Sequence, residues 1–318
     1  MPGRDIFLSI AAGIAAAVLT VSALAFALGG IVLSSLAQLP LFLVGLSLGT
    51  HASVIATASS VAVTSLLIRF EFGFFFGLVV AVPVVIMVRQ ALLTRRRADG
   101  GSDWYPPAGL LLTALGLTAV VAATSLPTAI WPSEGQLRRA RAILTELPAE
   151  FLPGGVGAEG IEQLIRLSIT FLPGFLGLGF FFLLIANAAL AQFLLVRLGL
   201  NLRPTPRMAD LALPGWFNTA AAIAAIGAFL PGLFGQAPGI AGVVGANMML
   251  VCLAGFLFAG LAVIHAWVKD WPSRGALLAG LYVLMLFFAP VLVALLMLGL
   301  AEPWLKLRER FAGPAPTL

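Results

Sequence analysis

Apolar residues run along this chain in long blocks, and polar residues gather in short clusters between them. A helix needs about 20 apolar residues to cross a bilayer. From Ile6 to Ile68 the only ionisable side chain is His51. That length predicts three helices, punctuated at Gly29-Gly30 and again near Gly49-Thr50-His51. The pattern as a whole predicts spans near 6–28, 31–48, 52–69, 72–92, 107–130, 173–197, 214–234, 240–268 and 276–300. The expected fold class is all-α: a polytopic transmembrane helical bundle of about eight to nine spans, forming one integral membrane domain over 1–318. Ala23-Leu24-Ala25 fits a small-x-small cleavage pattern, but the apolar stretch continues past it, so a retained first span is expected.

One stretch does not read as spanning. Over 134–150, Leu137, Ala140, Leu144 and Leu147 recur at helical spacing, with Arg138, Arg139, Arg141 and Glu146 between them. This predicts an interfacial amphipathic helix, its arginines near headgroups, ended by Pro148. Glu162 and Arg166 lie four residues apart, so a helix-face pair is expected there, with the sixth helix starting before it enters the membrane.

Composition narrows the class. Hydrophobic residues make up 61% of the 318 positions and charged residues 10%. A soluble domain carries about 25% charged residues. A disordered chain, a nucleic-acid binder and a disulfide-stapled module are excluded; Cys252 is the only cysteine. Arginine supplies 16 of the 18 basic residues, mostly in clusters between apolar blocks. Such clusters set topology and meet anionic headgroups. With four spans before Arg95, the N-terminus, the Arg95–Arg97 loop, the Arg197–Arg207 loop and the Lys269–Arg274 loop share one face, expected to be cytoplasmic. A basic C-terminal tail would suit that face too, which favours one re-entrant segment early in the chain. The excess of arginine over lysine, with abundant alanine and glycine, points to a bacterial inner membrane, crossed many times.

Aromatic and proline positions agree. All six tryptophans (Trp104, Trp131, Trp216, Trp267, Trp271, Trp304) fall at or near segment ends, where an indole meets the headgroup boundary. Leu-Pro-Gly occurs at Leu152, Leu172, Leu213 and Leu230, each near an expected helix boundary. Turn and cap chemistry accounts for these. A sharper alternative is that Pro173-Gly174 opens a broken helix lining a cavity.

Candidate chemistry is sparse. Gly45-Leu46-Ser47-Leu48-Gly49 matches G-x-S-x-G, with His51 following. A hydrolase elbow needs a strand-to-helix turn, however, and this segment is apolar helix. Gly45–Gly49 and Gly73–Gly77 are explained by close helix packing. No catalytic set, metal-ligand set, cofactor motif or Walker A string is present, so the expectation is no enzyme and no cofactor. Arg69 and Glu71 are expected to pair at an interface, and no carboxylate is expected within a span. Polar residues inside spans are costly and therefore informative. Asn187, Asn247, His51 and Asn218 are the candidate ligand-binding residues, with Gln192 beside them. Interhelical hydrogen bonding competes with a small uncharged ligand for each.

Several strings carry a resemblance. They are Leu39-Pro40-Leu41-Phe42-Leu43-Val44-Gly45, Asn187 with Ala188-Ala189-Leu190-Ala191, the loop Arg203-Pro204-Thr205-Pro206, and Leu213-Pro214. Asn247, Gly260 to His265, Leu298-Gly299-Leu300, Trp304 and Arg308-Glu309-Arg310 continue the set. Together they resemble the YybS-like family of bacterial membrane proteins, a domain of unknown function. That family is distantly similar to the substrate-binding S components of energy-coupling-factor importers, six-span bundles that work with a membrane coupling subunit and separate ATPases. The resemblance implies a transporter-like component that holds a small-molecule substrate and engages a membrane coupling partner. This chain has two or three spans more than that pattern. The alternative is a membrane scaffold or assembly factor, which would present the Gly45–Gly49 and Gly73–Gly77 faces to partner helices.

Overall fold

The computed structural model describes residues 1–98, 100–146, 158–235 and 239–311. Helices account for nearly all of the ordered structure, and eight are long and apolar enough to cross a membrane, or nine if the last bent pair counts as one. The protein is a multi-pass membrane protein with apolar helix faces suited to lipid. Backbone contacts divide it into two compact units. The first holds residues 1–114 and 181–211, the second 115–180 and 212–318.

The first unit begins with α1 (Gly3–Ala25), α2 (Ala27–Ser35), α3 (Leu39–Leu48) and α4 (Thr50–Leu67). Small residues let these helices approach closely. A side chain on Gly13 of α1 would strike the Ala56 carbonyl and the Ser59 side chain of α4. A side chain on Gly45 of α3 would come within 3.0 Å of the Ser53 Cβ and 2.7 Å of a Val88 methyl. In lipid, such backbone proximity is a main source of helix association. Next come α5 (Phe70–Phe76), a π-helical turn (Gly77–Ala81) and α6 (Val82–Ala91). Pro83 explains the π turn. It has no N–H to give to residue 79, and Val82 donates to the Gly77 carbonyl instead. Leu41, Phe42, Val84 and Val88 fill the interior. A short antiparallel ribbon, β1 (Thr94–Arg96) with β2 (Ser102–Trp104), follows in the stretch expected to be a charged loop.

The remaining elements are α7 (Pro107–Ile130), α8 (Glu134–Glu146), α9 (Ala158–Leu198), a 3-10 turn (Met208–Asp210), α10 (Gly215–Leu233), α11 (Ile240–Trp267), α12 (Arg274–Phe287), α13 (Ala289–Leu305) and α14 (Leu307–Phe311). Within the second unit α11 is the most buried helix, and α10 and α13 pack along it. Gly245 lies against Ala224 and Ala228 of α10, and Gly255 against the Phe217 ring. Gly260 and Gly299 meet at the α11–α13 crossing, and Leu257, Leu261 and Leu295 form a small core there.

The span expected at 31–48 is present as Gly29–Leu48, with a turn at 36–38 inside it. Three expectations change. The stretch 276–300 is two helices bent by 114° at Phe288. The strongest fold-back thus lies at the end of the chain rather than early. Pro173-Gly174 does not open a helix, because α9 runs through it from Ala158 to Leu198. Glu162 pairs with Arg141 of α8 rather than with Arg166. In α8, Arg138, Arg139 and Arg141 are exposed while Leu137, Ala140 and Leu144 are half-buried. The outer part of the expected amphipathic segment, 147–150, lies outside the described residues, as does the Leu152-Pro153-Gly154 triplet.

Candidate functional site

The break between α2 and α3 lies in the middle of the apolar span Gly29–Leu48. Its cause is local. Pro40 cannot donate to the Leu36 carbonyl, which closes instead on the Leu39 N–H at 3.0 Å in a tighter turn. The carbonyls that the break frees are almost all capped. The Ser35 hydroxyl donates to the Val32 carbonyl at 2.7 Å. The Leu36 and Ala37 N–H groups close the Leu33 and Ser34 carbonyls at 3.1 Å. The Ser35 carbonyl receives an N–H of Asn187 from α9 at 2.8 Å, and the other Asn187 N–H goes to Leu183 at 2.8 Å.

Two carboxamide oxygens are left over here. Asn187 is 2% exposed and Gln38 5%, and neither Asn187 Oδ1 nor Gln38 Oε1 has a protein partner. Buried polar atoms are nearly always hydrogen-bonded, so each exception calls for a reason. Irregular backbone at membrane depth occurs where it is enclosed by protein or lines a cavity, and discontinuous helices hold the ligands of many transporters. Asn187 was expected from the sequence and Gln38 was not. The signal for Gln38 was present: a carboxamide two residues before a proline, inside a long run without charge.

The loop Arg203-Pro204-Thr205-Pro206 forms a latch on the same unit. Arg203 is 4% exposed, with no carboxylate partner among the described residues. Its Nη1 donates to the Ala91 carbonyl at 2.7 Å, its Nη2 to Tyr105 at 3.5 Å and its Nε to Pro204 at 3.3 Å. The guanidinium also lies 5.7 Å from the centre of the Trp104 ring. Ala91 ends α6, so the partial negative charge of a helix C-terminus stands in for an acid. Burial pushes the guanidinium below its usual range. Gln192 and Asn201 donate to the Arg203 carbonyl at 3.0 and 2.8 Å, and Gln192 also reaches Thr205 at 3.4 Å. Arg203→Gln is expected to loosen this loop and speed tryptic cleavage after Arg207. Arg203→Lys is expected to do the same, because an ammonium cannot reproduce the fork. Cleavage at the wild-type rate in both variants would refute the latch.

Asn247, in the second unit, has a different task. Pro173 interrupts the hydrogen bonding of α9, and the Gly174 N–H no longer closes on Thr170. Asn247 inserts between them. Its Oδ1 accepts from Gly174 at 2.6 Å, and its Nδ2 donates to Thr170 at 2.8 Å and to Val243 at 2.7 Å. Both amide protons are committed, and the side chain is fully buried. A side chain on Gly174 would press on Asn247 Oδ1 at 2.9 Å, so glycine is required there.

The other candidates are scattered. His51 is exposed on the first turn of α4. Asn218, on the first turn of α10, is half-buried with its Oδ1 unpaired. Ser47 donates to the Leu43 carbonyl at 2.6 Å. Gly45, Gly73 and Gly77 are taken up inside the first unit, against Ser53, Ser65 and Val61, rather than offered to partner helices. One carboxylate escaped the sequence reading. Glu302 lies inside α13, is 7% exposed, and accepts from Arg308 Nε at 2.7 Å and the Leu307 N–H at 2.9 Å. Arg69 and Glu71 form an exposed pair at 3.4 Å. Among the described residues no three His, Cys, Asp or Glu side chains converge.

A family model described as "Predicted membrane protein (DUF2232)" matches residues 14–302. No curated protein and no solved structure matches the chain.

Proposed function

The chain belongs to the DUF2232 family of predicted membrane proteins, and from that premise we propose that it is a small-molecule-binding, transporter-like component rather than an enzyme. The observation carrying this reading is the mid-span break at 36–38, with Gln38 Oε1 and Asn187 Oδ1 buried beside it and unpartnered. Two neutral acceptors without a carboxylate or a cation suit a small uncharged ligand bearing N–H or O–H groups. Asn187, on this reading, both holds the break open and faces the ligand. Asn247 is left out of the ligand set because its protons are spent on the α9 splice. His51 and Asn218 are peripheral to it. The YybS-like resemblance and its distant similarity to energy-coupling-factor S components support the same reading. They add a separate membrane coupling partner, and the arginine-rich composition adds a bacterial inner membrane as the location.

The scaffold alternative loses the Gly73–Gly77 face and Gly45, which pack within the first unit, and keeps Gly49, where a side chain would meet nothing within 4 Å.

The test is a comparison of purified wild-type protein with Gln38→Leu and Asn187→Leu. Small molecules released on denaturation are identified by mass spectrometry, with melting temperature as the folding control. A neutral compound retained by wild type and lost from folded Gln38→Leu supports the reading. Retention of the same compounds by all three proteins would remove these residues from any binding site.

A further inference from the structure

Two membrane helices of the first unit carry an arginine at the end of a lipid-facing stripe. On α9, Phe182, Ala186, Leu190, Phe193 and Arg197 recur at steps of three and four residues, and all five are exposed. Leu184, Ala191 and Leu195, on the opposite side, are buried. On α6, Val82, Val85, Ile86 and Arg89 share the outer face, while Val84, Val88 and Ala91 are buried. Both arginines lie in the last turn of their helix. An arginine there, in line with side chains that meet acyl chains, stands at the depth of lipid headgroups. Arg197 does not reach outward to water. Its guanidinium lies 5.2 Å from the centre of the Phe193 ring, one turn back along the helix and into the bilayer. A cation held there is costly without a counter-charge.

The Arg203 loop ties the two helix ends together. Arg203 donates to the Ala91 carbonyl, two residues beyond Arg89, and its own carbonyl receives Gln192, five residues before Arg197. The β1–β2 ribbon continues from α6, closed at its base by the Tyr105 N–H on the Leu93 carbonyl at 3.0 Å. It adds Arg95 and Arg96, both exposed. The carboxylates of the ribbon and the loop are already spent, Asp103 on Arg97 at 3.0 Å and Asp210 on Arg207 at 2.8 Å. Arg89, Arg95, Arg96 and Arg197 have no carboxylate partner among the described residues. They lie beside the exposed Leu93, Leu198 and Leu200.

The geometry points to a binding surface for anionic phospholipid headgroups at this end of the first unit, with Arg89 and Arg197 as its phosphate contacts. Arg95 and Arg96 add positive potential from the ribbon. Charge complementarity sets the sign of the occupant. The lipid-facing stripes set its class, because an acidic protein segment would approach from water rather than along them. A guanidinium offers a phosphate two parallel N–H groups, which suits arginine to this place. Arg203 positions the two helix ends and makes no lipid contact, its donors being committed to carbonyls. The surface stands apart from the ligand reading of Gln38 and Asn187.

Native mass spectrometry of the full-length protein in neutral detergent tests this, with phosphatidylglycerol, phosphatidylcholine and inorganic phosphate as probes. Wild type is expected to retain phosphatidylglycerol in preference to phosphatidylcholine, and inorganic phosphate at the same concentration is expected not to displace it. Arg89→Gln and Arg197→Gln are each expected to weaken retention about fivefold, the effect of losing one cation at a membrane surface. Arg207→Gln removes the same charge from a paired site and is expected to leave retention unchanged. Either of the first two variants suffices, provided that it keeps the wild-type melting temperature. Wild type alone gives a second reading, a melting temperature raised by phosphatidylglycerol and not by phosphatidylcholine. Retention without preference between the two lipids, equal weakening by Arg207→Gln, or displacement by inorganic phosphate overturns the surface. An acidic protein that copurifies with wild type and is lost from the variants, with no lipid preference, overturns it in favour of a protein partner.

Discussion

Replacing Asn247 with valine is expected to lower the melting temperature of the detergent-solubilised protein by roughly 5–10 °C, at about 2–4 °C per kcal/mol. The substitution orphans the buried Gly174 N–H, at about 1–3 kcal/mol, and the part-buried Thr170 carbonyl, at the lower end of that range. A simple packing defect would give a loss too, so a double-mutant cycle is the sharper measurement. Pro173→Ala restores the missing N–H and lets α9 close its own ladder through 174→170. The cost of Asn247→Val should therefore be markedly smaller in the Pro173→Ala background. Equal costs in the two backgrounds would show that Asn247 does not serve the proline.

Gly299→Ala is expected to be at least as damaging. A Cβ at Gly299 would overlap the Phe256 carbonyl oxygen, and one at Gly260 would overlap the Leu295 carbonyl oxygen. These neighbours are backbone, which cannot rotate away, so α11 and α13 must separate. Overpacking costs about 1–3 kcal/mol where side chains can adjust, and this site has less freedom. The expected result is loss of the monodisperse peak in size-exclusion chromatography for Gly299→Ala and Gly260→Ala. Gly280→Ala, which meets nothing within 4 Å, serves as the neutral control. Wild-type profiles for both crossing variants would contradict the geometry.

The helical bundle was legible because hydrocarbon imposes a coarse rule. Apolar blocks of bilayer length must be helices, and clusters of charge must be loops. Helix interruptions were harder to read, because they depend on where lost hydrogen bonds find partners. Pro40 and Pro173 look alike as sequence, each a proline within an apolar run. One breaks its span and the other does not, because Asn247 lies 73 residues away and bridges the gap at Gly174. Nothing local in the sequence announces that meeting. The same holds for Arg203, whose burial depends on the end of α6.

The fold-back at Phe288 bears on sidedness. A stretch that bends by 114° halfway can enter and leave through one membrane surface. The other eight apolar helices then make an even number of crossings, which leaves both chain ends on the same side. Lys306, Arg308 and Arg310 join Arg4 there, and the basic residues divide thirteen to five across the bilayer, where a ninth full crossing would divide them ten to eight.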